Sequence, residues 1–436
     1  MEKYEKYKDS GIEWIGEIPE HWEVKKLNYC FSVIGSGTTP TAGKTEYYNN
    51  GEYNWLQTGD LNNFEIIETS KKITQEALDD YSTLRFYPAN SIAIAMYGAT
   101  IGKTGLLKIK STTNQACCVL SEPINLNSKF AFYWLNSIKN HIISLSYGGG
   151  QPNINQEQIR SLKIQNPPPE EQTAIANYLD RKTAEIDELI ADKKRLLELY
   201  EEEKTAIINQ AVTKGINPGV PMKDSGIEWL GVIPEHWEVK RIATFGSFSK
   251  GKGIPRSELK DDGFPAILYG DIYTKYDIKA DVIKNHINEE TTKTSVAIEK
   301  GDLLFTGSGE TAEDIGKCIA YLGEETVYVG GDVIILRQKK HNSLFLSYSL
   351  SSNSSIFQKA SMAKGQIIIH IYASNLREIY LPIPPKEEQT AIVQFIETEI
   401  SRINLKAEKN KKLIDLLTEY RTALISEVVT GKIKVI

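Results

Sequence analysis

The chain has 436 residues, of which 41% are hydrophobic and 25% charged, with a formal net charge of −6 at pH 7. This composition is ordinary for a globular protein, and the length allows several domains. No apolar run reaches the roughly 18 residues that a membrane helix needs, and the charged start lacks the apolar core of a signal peptide. Four cysteines without CxxC spacing argue against a disulfide framework or a zinc site. We therefore expect a cytoplasmic protein without a membrane partner.

An internal repeat organises the whole chain. "DSGIEWIGEIPEHWEV" (9–24) returns as "DSGIEWLGVIPEHWEV" (224–239), and the lead-ins 8–27 and 223–242 match at 16 of 20 positions. "EEQTAI" (170–175) recurs at 387–392, and "AVTKGI" (211–216) corresponds to the similar segment "VVTGKI" (428–433). Repeats of this kind indicate a duplicated architecture. Each half therefore consists of a lead-in, a divergent body and a helical segment.

The two bodies predict mixed α/β structure. Residues 28–165 and 240–383 each carry only one more basic than acidic side chain, so charge alone does not predict DNA binding. Short apolar runs bounded by turn residues indicate strands. They are "SIAIAMYG" (91–98), "ACCVL" (116–120), "GDLLFTG" (301–307) and "DVIILR" (332–337). Amphipathic runs near 128–143 and 343–359 predict one helix in each body.

Loops of the bodies carry groups that suit polynucleotide recognition. "GSGTTP" (35–40) and its counterpart "SKGKGIPRSE" (249–258) combine glycine with polar side chains. Glycine lets a backbone approach a phosphate, and Arg, Asn and Gln can read base edges. The same residue types also occur in ordinary loops. The candidate DNA contacts are Ser36, Thr38, Thr39, Lys44, Gln57, Tyr97, Thr100, Lys103, Thr104, Gln151 and Asn153 in the first body, and Lys250, Lys252, Arg256, Tyr269, Ser308, Lys317, Lys364 and Gln366 in the second.

A long helix is predicted at the end of each half. "NPPPEEQ" (166–172) and "IPPKEEQ" (383–389) place prolines and carboxylates where a helix begins. Near-heptad apolar spacing follows, and Gly215 and Gly431 close the runs. Neither helix can bury its row of apolar residues by itself, so we expect the two helices to pack together. They would be antiparallel if the halves are related by a pseudo-twofold axis. A parallel pair and two shorter helices per half remain alternatives.

Catalytic motifs are weak in this sequence. "GATIGKTG" (98–105) has three residues between Gly98 and Gly102 where a P-loop needs four. "NPPP" (166–169) lacks the aromatic residue that would stack on a flipped base, and "WEVK" lacks a further acid to hold a metal. His21 and His236 sit beside tryptophans in the repeat and are expected to pack or hydrogen-bond. We predict no catalytic residue and no metal site.

The doubled lead-ins, together with "PPPEEQTAI" (167–175) and "PPKEEQTAI" (384–392), resemble the specificity (S) subunit of type I restriction–modification enzymes over nearly all of the chain. The resemblance implies an α+β fold with two mixed α/β target recognition domains. Two long antiparallel coiled-coil helices would join them as a pseudo-twofold internal repeat. Each domain would read one half of a split, asymmetric DNA site.

The same resemblance implies partners and cofactors. An S subunit binds no cofactor itself and recruits two methyltransferase (M) subunits, which use S-adenosylmethionine to methylate adenine N6. It also recruits restriction (R) subunits, which use ATP and Mg²⁺. The competing hypotheses are a coiled-coil scaffold without a DNA role, and a stand-alone DNA methyltransferase or nuclease.

Domain boundaries follow from the repeats. The expected parts are recognition domain 1 at 1–165 with lead-in 8–27, spacer helix 1 at 166–215, a linker at 216–222, recognition domain 2 at 223–382 with lead-in 223–242, and spacer helix 2 at 383–432. The constant lead-in is expected to be structural. Its Trp, Ile and Glu side chains could also form an exposed docking patch, used twice to hold two identical M subunits.

Overall fold

A computed structural model describes residues 2–147, 152–365 and 367–435. The candidates Gln151 and Gln366 lie outside these residues. The chain divides into two compact units. Unit 1 comprises residues 1–194 and 411–436, and unit 2 comprises residues 195–410. Each unit therefore contains one body together with part of each long helix.

Unit 1 begins with the lead-in and is built mainly from short strands. Its strands are β1 Tyr7–Asp9, β2 Glu17–Pro19, β3 Glu23–Lys26, β4 Phe31–Gly35, β5 Tyr53–Leu56, β6 Glu65–Ile66, β7 Lys72–Ile73, β8 Ile92–Ala95, β9 Thr104–Leu107, β10 Thr112–Thr113, β11 Cys117–Pro123 and β12 Lys163–Asn166. Its helices are α1 Gln75–Asp80, α2 Ser128–Ser137, α3 Lys139–Ser144, α4 Gln156–Ser161 and the first part of α5 Pro169–Lys214.

The main sheet of unit 1 has five strands in the order β4-β11-β8-β9-β6. A second sheet, β10-β5-β7, pairs β10 parallel to β5, with Thr113 opposite Leu56. Residues at the carboxyl ends of these parallel strands lie at the same edge, which brings Gln57 towards the loop after Thr113. Strand β12 pairs antiparallel with β3 and leads directly into α5, so the lead-in is tied to the start of the helix.

Unit 2 repeats this plan with different side chains. Its strands are β13 Met222–Asp224, β14 Val232–Pro234, β15 Glu238–Arg241, β16 Gly246–Lys250, β17 Phe264–Ile267, β18 Lys279–Ala280, β19 Asn285–Ile287, β20 Val296–Ile298, β21 Leu303–Thr306, β22 Ser308–Gly309, β23 Cys318–Tyr321, β24 Val327–Val329, β25 Val333–Gln338, β26 Ile369–His370 and β27 Tyr380–Ile383. Its helices are α6 Tyr269–Thr274, α7 Glu289–Thr292, α8 Ser343–Leu350, α9 Asn353–Met362, α10 Ala373–Leu376 and, beginning in this unit, α11 Lys386–Val429.

The sheet order β16-β25-β21-β23-β18 of unit 2 corresponds strand for strand to the main sheet of unit 1. Strand β27 pairs with β15 as β12 pairs with β3. The prediction of one helix per body near 128–143 and 343–359 is wrong, because each run forms two helices. The first run changes direction at Ile138, with φ −96° and ψ 12°. The second is interrupted at Ser352, whose extended backbone precedes α9.

Helices α5 and α11 are continuous over 46 and 44 residues, which confirms long helices rather than two shorter ones per half. In unit 1, Arg421 of α11 lies 2.9 Å from Asp187 of α5, and Ile175 and Ile425 share one buried cluster. In unit 2, the end of α5 lies beside the start of α11, where a Cβ on Gly215 would be 3.6 Å from Glu388. The helix segments are therefore antiparallel in each unit.

The lead-in is more buried than the sequence suggested. Ile12, Ile15 and Ile18 are buried in the core of unit 1, and Trp22 is fully buried, so the expected exposed isoleucine patch is absent among these described residues. A buried Trp22 or Trp237 lies close to the glycine that follows a long helix. A Cβ on Gly431 would lie 3.1 Å from the Trp22 ring, and one on Gly215 would lie 3.3 Å from the Trp237 ring.

A buried glutamine ties the start of each long helix to its body. The Gln172 Oε1 accepts the backbone N–H of Asn127 at 2.6 Å, and its Nε2 donates to the Pro167 carbonyl at 2.8 Å. Gln389 repeats the first contact, with the Asn342 N–H at 2.9 Å. Asn127 and Asn342 cap the next helices of their bodies, α2 and α8. One amide side chain therefore positions two helix starts.

The neighbouring glutamate completes the junction in both units. The Nε2 atom of His21 lies 2.8 Å from the Glu171 carboxylate, and the Nε2 atom of His236 lies 2.8 Å from Glu388. These contacts link the lead-in to the first turn of the helix. They explain why "PEHWEV" and "EEQTAI" are repeated together, because each residue of the pair needs the other.

Gln172→Ala tests this junction. The buried Asn127 N–H and Pro167 carbonyl would lose their partners, so we expect the free energy of unfolding of unit 1 to fall by about 2–4 kcal/mol. Hydrogen exchange of residues 128–137 would measure the change. Asn177→Ala is the control, because Asn177 is exposed on the same helix and its side chain makes no hydrogen bond among the described residues, and it should cost less than about 0.5 kcal/mol. Equal effects would contradict the tether.

Candidate nucleic-acid interface

The polar side chains of unit 1 converge at the end of the main sheet. The Gln156 Nε2 donates to the Ser36 hydroxyl at 2.7 Å, and the Thr39 hydroxyl donates to the Gln115 Oε1 at 2.5 Å. A surface cavity of about 490 Å³ lies here. It is lined by Ser36, Met96, Tyr97, Gln115, Asn155, Gln156, Glu157 and Arg160. We call these residues, with Thr39 and Asn153, face 1.

Tyr97 and Asn153 belong to face 1 through backbone contacts. Tyr97 forms β-bridges to Asn153, and the Thr100 hydroxyl donates to the Tyr97 carbonyl at 3.0 Å. Lys103 is half-buried at the end of the same loop. Thr104 is fully buried, and its hydroxyl donates to the Asn136 side chain at 2.8 Å. The expectation of a DNA contact at Thr104 is therefore corrected, because that hydroxyl is used inside the protein.

Three further candidates of unit 1 have structural partners. The Thr38 carbonyl accepts the indole N–H of Trp55 at 3.2 Å, and the Gln57 N–H donates to the Asp60 carboxylate at 2.8 Å. Lys44 donates to the Tyr47 hydroxyl at 2.8 Å, and this hydrogen bond raises the pKa of Lys44. The Lys44 ammonium thus stays charged but is held against a phenol.

The glycine of "GSGTTP" serves the fold itself. A Cβ on Gly37 would lie 1.8 Å from the Thr113 carbonyl oxygen, so a larger residue cannot fit. Gly251 occupies the equivalent place in unit 2, where a Cβ would lie 2.1 Å from the Gly330 carbonyl. The sequence suggested that glycine here allows approach to a phosphate. The structure shows that it allows approach of the chain's own backbone.

Unit 2 gathers three of its candidates around a cavity of about 650 Å³, whose lining includes Lys250, Arg256, Tyr269, Asp271, Lys275, Asn285 and Asp332. Lys250 lies 3.3 Å from Asp332, and Lys275 lies 2.9 Å from Asp271. Arg256 is exposed and has no ion-pair partner within 4.0 Å among the residues described. Lys252 is exposed on the same loop. We call this cavity face 2.

A short hairpin adjoins face 2. Strand β22 pairs with β26, with Ser308 opposite His370, and the Ser308 hydroxyl lies 3.1 Å from the His370 Nδ1. Lys364 is exposed and bridges to His370. Helix α6 connects the two places, because Tyr269 lines the cavity while the Tyr273 hydroxyl donates to the Ser308 carbonyl at 3.1 Å.

Two lysines of unit 2 face the protein instead. The ammonium of the half-buried Lys317 donates to the Tyr276 carbonyl at 2.8 Å, so one of its N–H groups is already used inside the protein. The fully buried Lys359 donates to the Gly316 carbonyl at 2.9 Å, and burial lowers the pKa of Lys359 to about 8. The buried Lys359 ammonium is therefore not placed to attract phosphate.

The two faces share one backbone plan. The Ile154 N–H donates to Met96 as the Ile371 N–H donates to Gly307, at 2.9 and 3.1 Å. The Gln57 N–H bonds Asp60 as the Leu268 N–H bonds Asp271. These contacts make several pairs of positions in or beside the two faces equivalent. The pairs are Ser36 with Lys250, Thr58 with Tyr269, Tyr97 with Ser308, and Asn153 with His370.

Several polar residues in or beside the two faces escaped sequence reasoning. They are Gln115, Asn155, Gln156 and Arg160 in unit 1, and Lys275, Asn285, His370 and Tyr372 in unit 2. The only signal that could have found them is their position after predicted strands or before helices. They reach the faces through tertiary packing between segments that are distant in sequence.

Signs of catalysis are missing from the described parts of the chain. Among residues 2–147, 152–365 and 367–435, no group of three or more His, Cys, Asp or Glu side chains could hold a metal ion. Cys117, Cys118 and Cys318 are buried in strands, and burial raises the pKa of each thiol to about 12. Within the same described ranges, no helix is long and apolar enough to cross a membrane.

Comparison with known families identifies both halves of the chain. Residues 19–199 and 234–414 each match the "Type I restriction modification DNA specificity domain". The chain belongs to this family. Two specificity domains occur in tandem, and each begins within a lead-in and extends into a long helix. Family membership makes the chain a DNA-specificity component rather than a catalytic subunit.

Curated relatives include specificity subunits that match nearly the whole chain or a large part of it. The chain is 25% identical over 433 residues to the type I restriction enzyme MjaIX specificity subunit of Methanocaldococcus jannaschii, covering 97% of this chain and 95% of that one. It is 28% identical over 182 residues to the EcoR124I/EcoR124II specificity subunit of Escherichia coli, covering 40% and 42% of the two chains. Both names support DNA specificity over the scaffold and stand-alone enzyme hypotheses.

Solved structures share the fold of these specificity domains. The HsdS subunit from Thermoanaerobacter tengcongensis has a TM-score of 0.58 at 16% identity, covering 95% of this chain and 98% of that one. A chain from work on complex assembly and conformational transition of the type I R-M system reaches 0.70 at 14% identity, covering 95% and 99%. The shared fold includes the two-domain architecture with long helices.

Gly37→Ala distinguishes the structural role of this glycine from a role in DNA contact. The added Cβ would overlap the Thr113 carbonyl, so we expect the free energy of unfolding of unit 1 to fall by about 2 kcal/mol or more in urea titrations. Gly43→Ala is the matched control, since nothing lies within 4 Å of its Cβ position, and it should change stability by less than about 0.5 kcal/mol. Unchanged stability with weaker DNA binding would instead support phosphate approach at Gly37.

Proposed function

We propose that this chain reads a split, asymmetric DNA site, one half with each recognition domain. The first domain spans residues 1–165 and the second spans residues 223–382. The helical segments 166–215 and 383–432 and the linker 216–222 complete the chain. Faces 1 and 2 are the surfaces that read the two half-sites.

One observation carries this proposal: equivalent backbone positions bear different side chains. Ser36 is replaced by Lys250, Tyr97 by Ser308 and Asn153 by His370, whereas Gly37 and Gly251 are kept. Packing requires the glycines but does not dictate the polar residues at the faces. Two domains that share a fold but carry different surface side chains are expected when each domain recognises a different DNA sequence.

The chemistry of the faces suits base reading more than tight phosphate binding. Face 1 offers amides and hydroxyls such as Gln115 and Ser36, which can bond base edges in the major groove. Face 2 offers Lys250 and Arg256, which suit the acceptor atoms of guanine. Both bodies are nearly neutral, so most phosphate attraction must come from other subunits of the complex.

We infer that those subunits are two methyltransferase subunits and the restriction subunits. S-adenosylmethionine, ATP and Mg²⁺ would then belong to them and not to this chain. The match of both halves to the DNA specificity domain supports this division, because it accounts for residues 19–199 and 234–414 without a catalytic domain.

Methylation mapping tests the split site. The complex reconstituted with methyltransferase subunits should modify a sequence of two unlike parts separated by a fixed gap, as read by long-read sequencing. Lys250→Ser should relax one half-site and Ser36→Lys should alter the other, each with a loss of about 5- to 150-fold at the affected bases. These two substitutions exchange equivalent residues and so control for each other.

A continuous palindrome, or a change in both half-sites from one substitution, would contradict the two-domain reading. The lone chain incubated with S-adenosylmethionine and DNA is the negative control. Methyl transfer by the pure chain would favour the stand-alone enzyme hypothesis instead.

We further propose that Trp14 and Trp229 each help to hold one methyltransferase subunit. They are equivalent residues of the two lead-ins and are 40% and 47% exposed. Trp14 stacks on His141 with ring centroids 4.6 Å apart, whereas Trp229 lies 6.1 Å from Phe357. The tryptophan is thus kept although its neighbour differs, which intramolecular packing does not require. Exposed aromatic residues of this kind often anchor protein interfaces.

Trp14→Ala and Trp229→Ala should each weaken the binding of one methyltransferase subunit by roughly 30-fold or more. A hot-spot aromatic side chain contributes about 2 kcal/mol or more to the binding free energy. Native mass spectrometry should show one subunit retained in each single variant and neither in the double variant. Tyr29→Ala is the control, since Tyr29 is more exposed but is not repeated in the second half. Retention of both subunits in the double variant would refute this docking role.

A further inference from the structure

A short turn follows the hairpin that adjoins face 2. The Lys364 N–H donates to the His370 carbonyl at 3.0 Å, and the His370 N–H donates back at 2.7 Å. Gly365 has φ +128°, and a Cβ there would lie 2.1 Å from the Ile368 carbonyl oxygen. The chain can therefore close this turn only with glycine at 365. We call residues 364–370 the isoleucine turn; Gln366 within it lies outside the described residues.

The tip of the isoleucine turn is apolar. Ile367 is 90% exposed, the most exposed large apolar side chain among the residues described, and Ile368 is 57% exposed. Isoleucine is normally buried, and adjacent exposed aliphatic side chains commonly mark a surface that a partner covers. Backbone hydrogen bonds between Lys364 and His370 join the two ends of the turn, so the exposed isoleucines do not belong to a free chain end.

The base of the turn is continuous with face 2. Ile371 donates its N–H to Gly307 at 3.1 Å, and Gly307 donates its own N–H to Asp332 at 2.8 Å. Asp332 lines the cavity of face 2 and is the ion-pair partner of Lys250. The backbone at the base of the turn is thus bonded to a segment that lines face 2, and His370 holds the position equivalent to Asn153 of face 1.

Polar and aromatic groups surround the apolar tip. His370 lies parallel to Tyr372, with ring centroids 6.5 Å apart and an interplanar angle of 21°. Lys364 is exposed on the opposite strand of the turn. Gly309 pairs with Ile369 beside the tip, and the acidic Glu310 follows Gly309 directly, which disfavours phosphate on that side. The tip is thus better suited to bases than to the sugar-phosphate backbone.

The first recognition domain has no such tip in its sequence. Asn153 and Ile154 are equivalent to His370 and Ile371, and the residues that precede them are Gly148, Gly149, Gly150 and Gln151, with Pro152. No large aliphatic side chain occurs in that run. The apolar tip therefore belongs to the variable face of one domain and not to the repeated framework, which favours DNA over a partner subunit that is bound twice.

We propose that Ile367 and Ile368 form an apolar wedge that enters a groove of the DNA and packs against bases of the half-site read by the second domain. This inference rests on the proposed function and deepens it. The shared chemistry is burial of aliphatic carbon against base surface, which can be a thymine methyl group or the exposed face of an unstacked base step. Such a contact specifies sequence without a charged group.

The wedge makes a distinct thermodynamic prediction. Phosphate contacts release counterions and set the slope of log K against log salt concentration, whereas apolar burial releases none. Ile367→Ser in the assembled complex should weaken binding to the mapped site by about 10- to 100-fold at every salt concentration, since each mismatched contact at a specific site typically costs this much. The salt slope and the affinity for unrelated DNA should not change.

Ile124→Ser is the matched control. Ile124 is also an exposed isoleucine, but it follows the end of β11 that is remote from Gln115 and face 1. This variant should bind the site as the parent chain does. Thermal unfolding of both variants should be unchanged, because neither side chain is buried, and Ile367→Met should retain most of the affinity.

Modified DNA separates the two modes of contact. If the wedge packs on a thymine methyl group, deoxyuridine at one position of this half-site should weaken the parent complex but not the Ile367→Ser complex. If it unstacks a base step, 2-aminopurine at that step should brighten with the parent complex and not with the variant. A response in either assay supports the wedge.

Three results would overturn the wedge. They are parental affinity and methylation pattern in Ile367→Ser, responses to deoxyuridine and 2-aminopurine that are the same in parent and variant, or loss of methyltransferase subunits from the variant complex. The last would make the turn a protein contact. If the parent complex itself modifies no split site, the proposed function fails; if it does so and the variant is identical, only the wedge fails.

Discussion

The fold depends on a buried amide at the start of each long helix. Gln172 and Gln389 join the helix to the cap of the next helix in the body, and their removal would leave backbone groups without partners in the core. The lead-in is held to the same junction through His21 and His236. Because three separate segments meet at one satisfied polar cluster, the body, lead-in and helix must be kept together.

Each unit is also completed by the long helix of the other half of the sequence. Gly431 of the second half lies against Trp22 in unit 1, and Gly215 of the first half lies against Trp237 in unit 2. A single half of the sequence would leave a tryptophan and an apolar helix stripe uncovered. The duplication is therefore a requirement of the core and not only a means of recognising two half-sites.

A rigid framework of this kind leaves the faces free to differ. Gly37 and Gly251 are fixed by backbone approach, whereas the adjacent Ser36 and Lys250 meet no such constraint. Sequence reasoning selected the loops that carry Ser36 and Lys250, but it did not foresee the burial of Thr104 or the internal bond of Lys317, which follow from packing between distant segments. Gln115 and His370 were missed for the same reason.

The sequence by itself determined the duplication, the long helices and the family, because repeats, helix starts and heptad spacing are local patterns. Only the tertiary structure decided that the isoleucines of the lead-in are buried and that the body helices are split. It also decided which loop residues share a face. The reason is physical. The local spacing of apolar residues sets secondary structure, but the exposure of a side chain and its contacts depend on which distant segments pack together and exclude water.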